Sequence, residues 1–377
     1  MDIKILNHGV IFDGLDNRFS FSAWPSVTRL QDGRLAVVFS GFRLHHICPF
    51  GKVVISYSSD EGKTWSMPAP IVDTPLDDRD SGILTWKDKV IVTSFNVDKL
   101  YQKSWIDREA LTESQKKWFD GNLSLDDRAF IREYVNMISD EEEEKYLGSY
   151  YVVSDDGGYT FGNMQKLPVT APHGPIALKN GDILYVGCDY YTGAAAESSK
   201  NWHEGNRILA IRSSDGENWT DPVEIEQPKD DNLTGFYEPH AIELYDGTIL
   251  VQFRVHHKVD GLTIYQSYSY DGGNTFTIPE PLNVCGTPPH LMMHSTGVLI
   301  SSYGRREEPY GQRVMLSSDG GKTWNKDFVL RDDSPVADTG YPASVELKDG
   351  KILTVYYQRK DDEKNASILY TVWEFAN

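Results

Sequence analysis

Five short stretches of this chain repeat one spacing of serine, aspartate, glycine and an aromatic, and that repeat constrains the fold more than anything else in it. They are SSDEGKTW (58–65), SDDGGYTF (154–161), SSDGENW (213–219, one residue shorter), SYDGGNTF (269–276) and SSDGGKTW (317–324). Each follows a strand-like run, such as KVVISY before Ser58 or QRVML before Ser317. An aspartate can bond its own local backbone and a glycine supplies positive φ, so these offsets specify a tight turn. The threonine and the aromatic then start the next strand, with the ring free to pack under the corner. The motif reads as a structural hairpin corner and not as a binding loop.

A second repeat marks the unit to which each corner belongs. WPSVTRLQDG ends at Gly33, EPHAIELYDG at Gly247, PPHLMMHSTG at Gly297 and YPASVELKDG at Gly350. PHGPIALKNG (to Gly181) is a looser copy and DSGILTWKDK (to Lys89) a degenerate one. A strongly apolar strand follows each: RLAVVFS, VIVTSF, DILYVG, TILVQFRV, VLISSY and KILTVYYQ. Six such β-meanders predict six radial blades, an arrangement that closes a ring and removes exposed sheet edges. The sixth unit lacks the Asp turn and ends in SILYTVWEF, so the N-terminal KILNHGVIF is expected to close the ring against it. The expected fold is all-β, a single six-bladed β-propeller over residues 1–377.

Residues 99–147 break the pattern. Thr112 with Gln115 has capping-box spacing, and Ser124 before Asp126 and Asp127 is a second helix start. Phe130, Ile131, Tyr134, Val135 and Ile138 recur at helical spacing. Two helices inserted into the second blade are predicted, with EEEE (141–144) as a solvated helix end. The insertion has three roles open to it: a packing elaboration, a lid, or an oligomer contact.

Composition narrows the function. The formal charge of −19 argues against a nucleic-acid surface, which needs clustered Lys and Arg. No apolar run approaches the roughly 18 residues of a membrane span, and no basic region followed by an apolar stretch opens the chain. Three widely spaced cysteines, Cys48, Cys188 and Cys285, do not suggest a disulfide framework. The expected setting is the reduced cytoplasm, although a chain from which a leader had been removed would read the same. There is no phosphate loop of the GxxxxGK[ST] type and no GxGxxG, and no cofactor is expected.

The S-x-D-x-G-x-T-W copies resemble the Asp boxes of the sialidase (neuraminidase) superfamily, and with six blades the likeness covers nearly the whole chain outside 99–147. Asp boxes also occur in non-catalytic propellers, so activity has to be argued from the ring's mouth. Residues just ahead of the apolar strands converge there: Trp24, Asp80, Pro172 with His173, Glu238, Pro288 with His290, and Tyr341. GYPASVELKDGKILTVYY resembles the family's tyrosine strand, which implies Tyr341 as nucleophile. YEPHAIELYDGTILVQFR resembles the glutamate strand, implying Glu238 as its base and Arg254 as one arm of a carboxylate-binding arginine triad. A neutral phenol approaches an anionic sugar without the repulsion a carboxylate would meet. A further triad arginine is sought in SSYGRREEPYGQRVMLSSDGG, with Arg313 nearest the family position, Arg305 next, and Arg306 the remaining candidate.

Two departures separate the chain from that family. Ala23-Trp24-Pro25 stands where the family has Arg-Ile-Pro, leaving Arg79 or Arg43 to supply the missing charge from a neighbouring loop. GFRLHHICPFGK, where the acid/base aspartate belongs, holds no carboxylate; His45, His46 or Asp80 is left to carry the proton. Asp80 also resembles a family aspartate that contacts the sugar's polar substituents. His173, His240 and His290 begin inner strands and are expected to be structural or to touch substrate; no ligand spacing suggests a metal. The implied function is a retaining exo-glycosidase for a terminal α-linked acidic sugar, a sialic acid or a related ulosonic or uronic acid. A neutral-sugar glycosidase of the arabinanase type, a polysaccharide lyase and a non-catalytic carbohydrate-binding propeller are the alternatives.

Overall fold

The computed structural model describes residues 2–107, 112–113, 116, 123–189, 207–359 and 365–376. Six four-stranded antiparallel sheets form the blades of a propeller. The first strand of each blade is innermost: Phe21–Arg29, Asp77–Trp86, Ile176–Ala177, Leu233–Glu243, Pro289–Met293 and Gly340–Glu346. The apolar runs picked out above are the second strands, fully buried in blade 6 over Ile352–Arg359 and in blade 5 up to Gly304. Between blades their side chains interlock, for example Leu35, Phe39 and Val54 of blade 1 with Leu353, Val355 and Tyr357 of blade 6. Blade 6 is closed by the N-terminus: Asp2–Phe12 pairs antiparallel with Ala366–Ala376, from Asp2 opposite Ala376 to Phe12 opposite Ile368.

The five repeated corners are built alike. In the first, the Ser58 hydroxyl donates to Asp60 and accepts from the Gly62 N–H, while Asp60 accepts from the N–H groups of Lys63 and Thr64 and from the Thr64 hydroxyl. Trp65 folds back to donate its indole N–H to the Gly62 carbonyl. Glycine is needed there because φ is +82°. The threonine hydroxyl bond holds the Asp60 carboxyl at about 2, and that of Thr275 does the same for Asp271. Each is depressed from 3.8. The stability these turns contribute is therefore present above that value and lost as pH falls through about 2. Acid titration followed by circular dichroism should show Asp60→Asn and Asp271→Asn variants less stable at neutral pH, with the difference from the parent shrinking towards pH 2.

The segment 99–147 lies between the second and third strands of blade 2, and its described part holds three helices rather than two: α1 (Lys99–Asp107), α2 (Leu125–Met137) and α3 (Asp140–Tyr146). The helix expected at Thr112 cannot be followed, because Gln115 lies outside the described residues. Ser124 caps α2 as its sequence predicts, accepting from the Asp127 N–H. The glutamate run is not the end of α2 but a helix of its own, because Ser139 and Glu142 form a capping box. Ile131 and Val135 of α2 and Ile106 of α1 are buried against Leu44 and Cys48 of blade 1, with Phe130 stacked on Phe50. α1 is thereby held over one side of the ring's mouth.

Candidate functional site

Four of the six inner strands carry the same irregularity. Trp24, Asp80, Glu238 and Tyr341 have φ of +56°, +37°, +47° and +52°, each inside a break in the pairing register. For bulky residues this is a strained region, costing on the order of 1–3 kcal/mol each. A bulge re-aims the side chain it carries, and here it turns residues that would alternate along the sheet towards the axis. Two glycines let blades 2 and 3 close up at this level: a Cβ on Gly82 would lie 2.3 Å from the Gly174 Cα.

The pocket at the mouth has a cavity of about 210 Å³. Asp80, Glu238 and Tyr341 line it together with Arg79, Arg254, Arg306, His46 and His256. The Tyr341 hydroxyl donates to Glu238 Oε1 at 2.5 Å. Arg254 Nη1 donates to both Glu238 oxygens, at 3.1 and 2.9 Å, and its Nε donates to His256 Nε2 at 2.9 Å. Burial, together with the Glu238 and Asp80 carboxyls, keeps the Tyr341 phenol well above its ordinary value despite Arg254 and Arg306. It is a neutral phenol whose proton already has an acceptor. Burial also pushes Asp80 up to about 7, against Arg79 and with help from Glu238. One carboxyl of the site is thus pushed towards its protonated form, and its buried Oδ1 has no hydrogen-bond partner among the described residues.

The arginines sort differently from their sequence ranking. Arg313 does not line the pocket; its guanidinium donates to the carbonyls of Gln312, Arg331 and Pro309. Arg305 is likewise absent from the lining, and Arg306 takes the place, its guanidinium 5.6 Å from the Tyr341 ring centre. The strand Leu299–Arg305 ends just there, and side chains of consecutive residues leave opposite faces. That alternation was the signal available in GRREE. Among the described residues Arg306 forms no ion pair, whereas Arg79 is paired with Asp77 at 3.0 Å. Arg43 stays outside the pocket in a fully buried pair with Asp77 at 2.6 Å.

Trp24, in place of the expected arginine, lies beneath the pocket with the Arg79 and Arg43 guanidiniums 4.1 and 4.8 Å from its ring. His46 crosses its edge, and His45 is buried out of the pocket. His173, His240 and His290 also lie outside the lining and pack against one another, with ring centres 4.4 to 5.6 Å apart; His173 sits 6.5 Å from the Tyr341 ring. His240 and His290 accept backbone N–H groups from Leu291 and Ser344 at Nδ1, a polar contact that fixes their rings. Burial holds all three well below the ordinary imidazole range, so they are neutral. No metal-binding cluster occurs among the described residues, nor any helix long and apolar enough to cross a membrane.

Several lining residues were not foreseen. Tyr101 and Trp105 of α1 form one wall with Ile47 and Phe95, so the insertion contributes to the pocket as well as to packing. His256 was visible only as one of several scattered histidines. Cys188 also lines the pocket, but burial pushes its thiol up to about 12, far from a working nucleophile.

Comparison with known proteins matches the fold. A crystal structure of a protein of unknown function from Dyadobacter fermentans superposes with a TM-score of 0.74 at 22% identity, covering 99% of both chains. The NanB sialidase of Streptococcus pneumoniae follows at 0.64 and 15% identity, over 97% of this chain and 70% of that one. A Penicillium chrysogenum α-L-arabinanase complexed with arabinobiose gives 0.64 and 13%, over 98% of each. No curated protein matches by sequence. The BNR repeat-like domain model matches residues 130–354, more than half of the chain, and the protein therefore belongs to that family.

Proposed function

We propose that the protein is a retaining exo-glycosidase in which Tyr341 attacks the anomeric carbon and Glu238 takes the phenol proton. The observation that carries this reading is the 2.5 Å hydrogen bond from Tyr341 to Glu238, the carboxylate being held by Arg254. A nucleophile, its base and an orienting third group within bonding reach is the arrangement covalent catalysis needs. The strain spent on aiming four side chains at one point supports a working site over a purely structural axis. A cavity of about 210 Å³ suits a single terminal sugar, being smaller than the roughly 300–1,000 Å³ of most ligand sites. Proteins named sialidase and arabinanase share the fold, and both names denote glycosidases.

The substrate we favour carries a carboxylate, received by Arg306 and assisted by Arg79; the Asp80 carboxyl, in its protonated form, donates to a sugar oxygen. Arg306→Ala should then raise KM by about 10- to 100-fold, the effect of losing a charge-assisted bond of roughly 1.5–3 kcal/mol. One observation favours a second reading. Arg254 and Arg79 are already committed to Glu238 and Asp77, which leaves a weaker clamp than three unengaged arginines and suits a neutral sugar. Fluorescence release should be measured from aryl α-sialosides, other ulosonides, uronides and α-L-arabinofuranosides, with Tyr341→Phe as the control. Release from acidic glycosides that Arg306→Ala impairs supports the first reading. Release from arabinofuranosides that is indifferent to Arg306 supports the second, and binding without turnover by the folded protein overturns both.

A further inference from the structure

Hydrolysis with retention needs a group that protonates the departing oxygen and later deprotonates water. Of the pocket residues able to do so, His256 has its Nε2 taken by the Arg254 Nε–H, which leaves Asp80 and His46, and these differ in their surroundings. Asp80 shares its environment with the nucleophile pair, since the charge of Glu238 bears directly on it and its own bears on Tyr341. His46 lies against other groups. Its Nδ1 is 3.2 Å from Asp338 Oδ1, and Asp338 is fixed in turn by Arg359 Nη2 at 2.9 Å and the Tyr357 hydroxyl at 2.8 Å. The His46 carbonyl accepts from Arg79 Nη1 at 2.7 Å, and its ring meets Trp24 edge-on with centres 5.0 Å apart. Backbone, ring face and one ring nitrogen are therefore all positioned, and the ring borders the pocket. An imidazole whose Nδ1–H is directed at a carboxylate presents Nε2 for proton transfer.

We propose that His46, oriented by Asp338, is the general acid and base of this site, standing where the chain has no aspartate to do that work; the inference rests on the glycosidase reading above. In the first step the Tyr341 oxygen bonds to the anomeric carbon as its proton passes to Glu238. The glycosidic C–O bond breaks, and the leaving oxygen takes the proton of His46 Nε2. In the second, His46 Nε2 removes a proton from water, whose oxygen bonds to the anomeric carbon. The tyrosyl C–O bond then breaks and Tyr341 recovers its proton from Glu238. The enzyme ends as it began, with one water consumed.

The charges facing His46 are Asp338 from blade 6, Arg79 from blade 2, and Arg43 and His45 from its own loop. Burial holds the imidazole below 6.5, opposed by Asp338 and reinforced by the two arginines. The acid form is then the low-pH form, and kcat/KM should fall as pH rises through a midpoint below 6.5.

The test compares two glycosides of the same sugar, one with an activated nitrophenol leaving group and one with an alkyl or sugar leaving group. His46→Ala, with His46→Gln as a second variant, should lose at least about 10²-fold more kcat/KM on the unactivated substrate. Asp338→Asn, a positioning change, should show the same dependence more weakly and shift the alkaline limb. Equal losses on both substrates, or leaving-group dependence appearing in Asp80→Asn instead, would overturn the assignment. Nitrogen NMR of ¹⁵N-histidine-labelled protein reads the geometry without any substrate. Neutral His46 should be the Nδ1–H tautomer in an Asp338-dependent way, and an Nε2–H tautomer sinks the proposal. If the wild type cleaves nothing, the glycosidase reading has failed, and the tautomer still decides whether the His46–Asp338 pair is built as proposed.

Discussion

Replacing Tyr341 by phenylalanine is expected to lower kcat on any cleavable glycoside by on the order of 10³-fold or more, with little change in ground-state binding. The variant keeps the ring that packs against Trp24, His173 and Tyr357 and removes only the hydroxyl. Arg254 still satisfies Glu238, so no uncompensated charge is left behind. Loss of turnover with a nearly unchanged melting temperature would place the hydroxyl in the chemistry. Glu238→Gln should be similarly slow, because the phenol is held neutral by burial and neighbouring carboxyls and needs a strong acceptor at the moment of attack. Turnover within a few-fold of wild type in Tyr341→Phe would show that another group attacks, and attention would pass to the Asp80 and Glu238 carboxyls as the pair of an ordinary two-carboxylate mechanism.

The second large effect concerns stability. Asp77 is wholly buried, pairs with Arg43 at 2.6 Å and Arg79 at 3.0 Å, and accepts the Cys48 N–H at 3.1 Å. Asp77→Ala takes the carboxylate from two guanidiniums, one lining the pocket and one buried outside it, and is expected to cost about 3–5 kcal/mol. Chemical denaturation should show a lowered midpoint with an unchanged slope. Arg79 would lose its anchor as well, so any substrate KM should rise. Arg43→Met offers a contrast, since it removes one charge of the trio and leaves Asp77 with Arg79. A smaller loss of stability than in Asp77→Ala is expected from it, and the opposite ranking would show that Arg43 is the group the network exists to hold.

Much of the architecture could be read from residue spacing because its determinants are local. A serine, an aspartate and a glycine within five residues build each corner from their own side chains, and strand runs of valine, isoleucine and leucine report burial on both faces. Ring closure was legible too, since the last unit lacked a strand and the first segment had one to spare. The bulges were not legible. Nothing in AWP, RDS, YEP or GYP announces positive φ at a tryptophan, an aspartate, a glutamate or a tyrosine; only packing from both neighbouring blades enforces it. The same limit explains the arginines. Arg306 and Arg313 look alike in sequence, and which one meets the axis depends on where a strand stops. The glutamate run shows a local signal outweighed by another: four like charges suggested a frayed helix end, but Ser139 three residues before Glu142 starts a new helix.

Closure of blade 6 by the first strand has a consequence for biosynthesis. The pocket draws on all six blades, and Tyr341 belongs to the sheet whose outer strands are Ala366–Ala376 and Asp2–Phe12. A ribosome has therefore emitted the other five blades before the strand Ala366–Ala376 exists to be clasped by Asp2–Phe12. Until that clasp forms, the sheet that carries Tyr341 is unfinished and the ring is not closed. The blade that carries Tyr341 is thus completed by two segments separated in sequence by all the other blades.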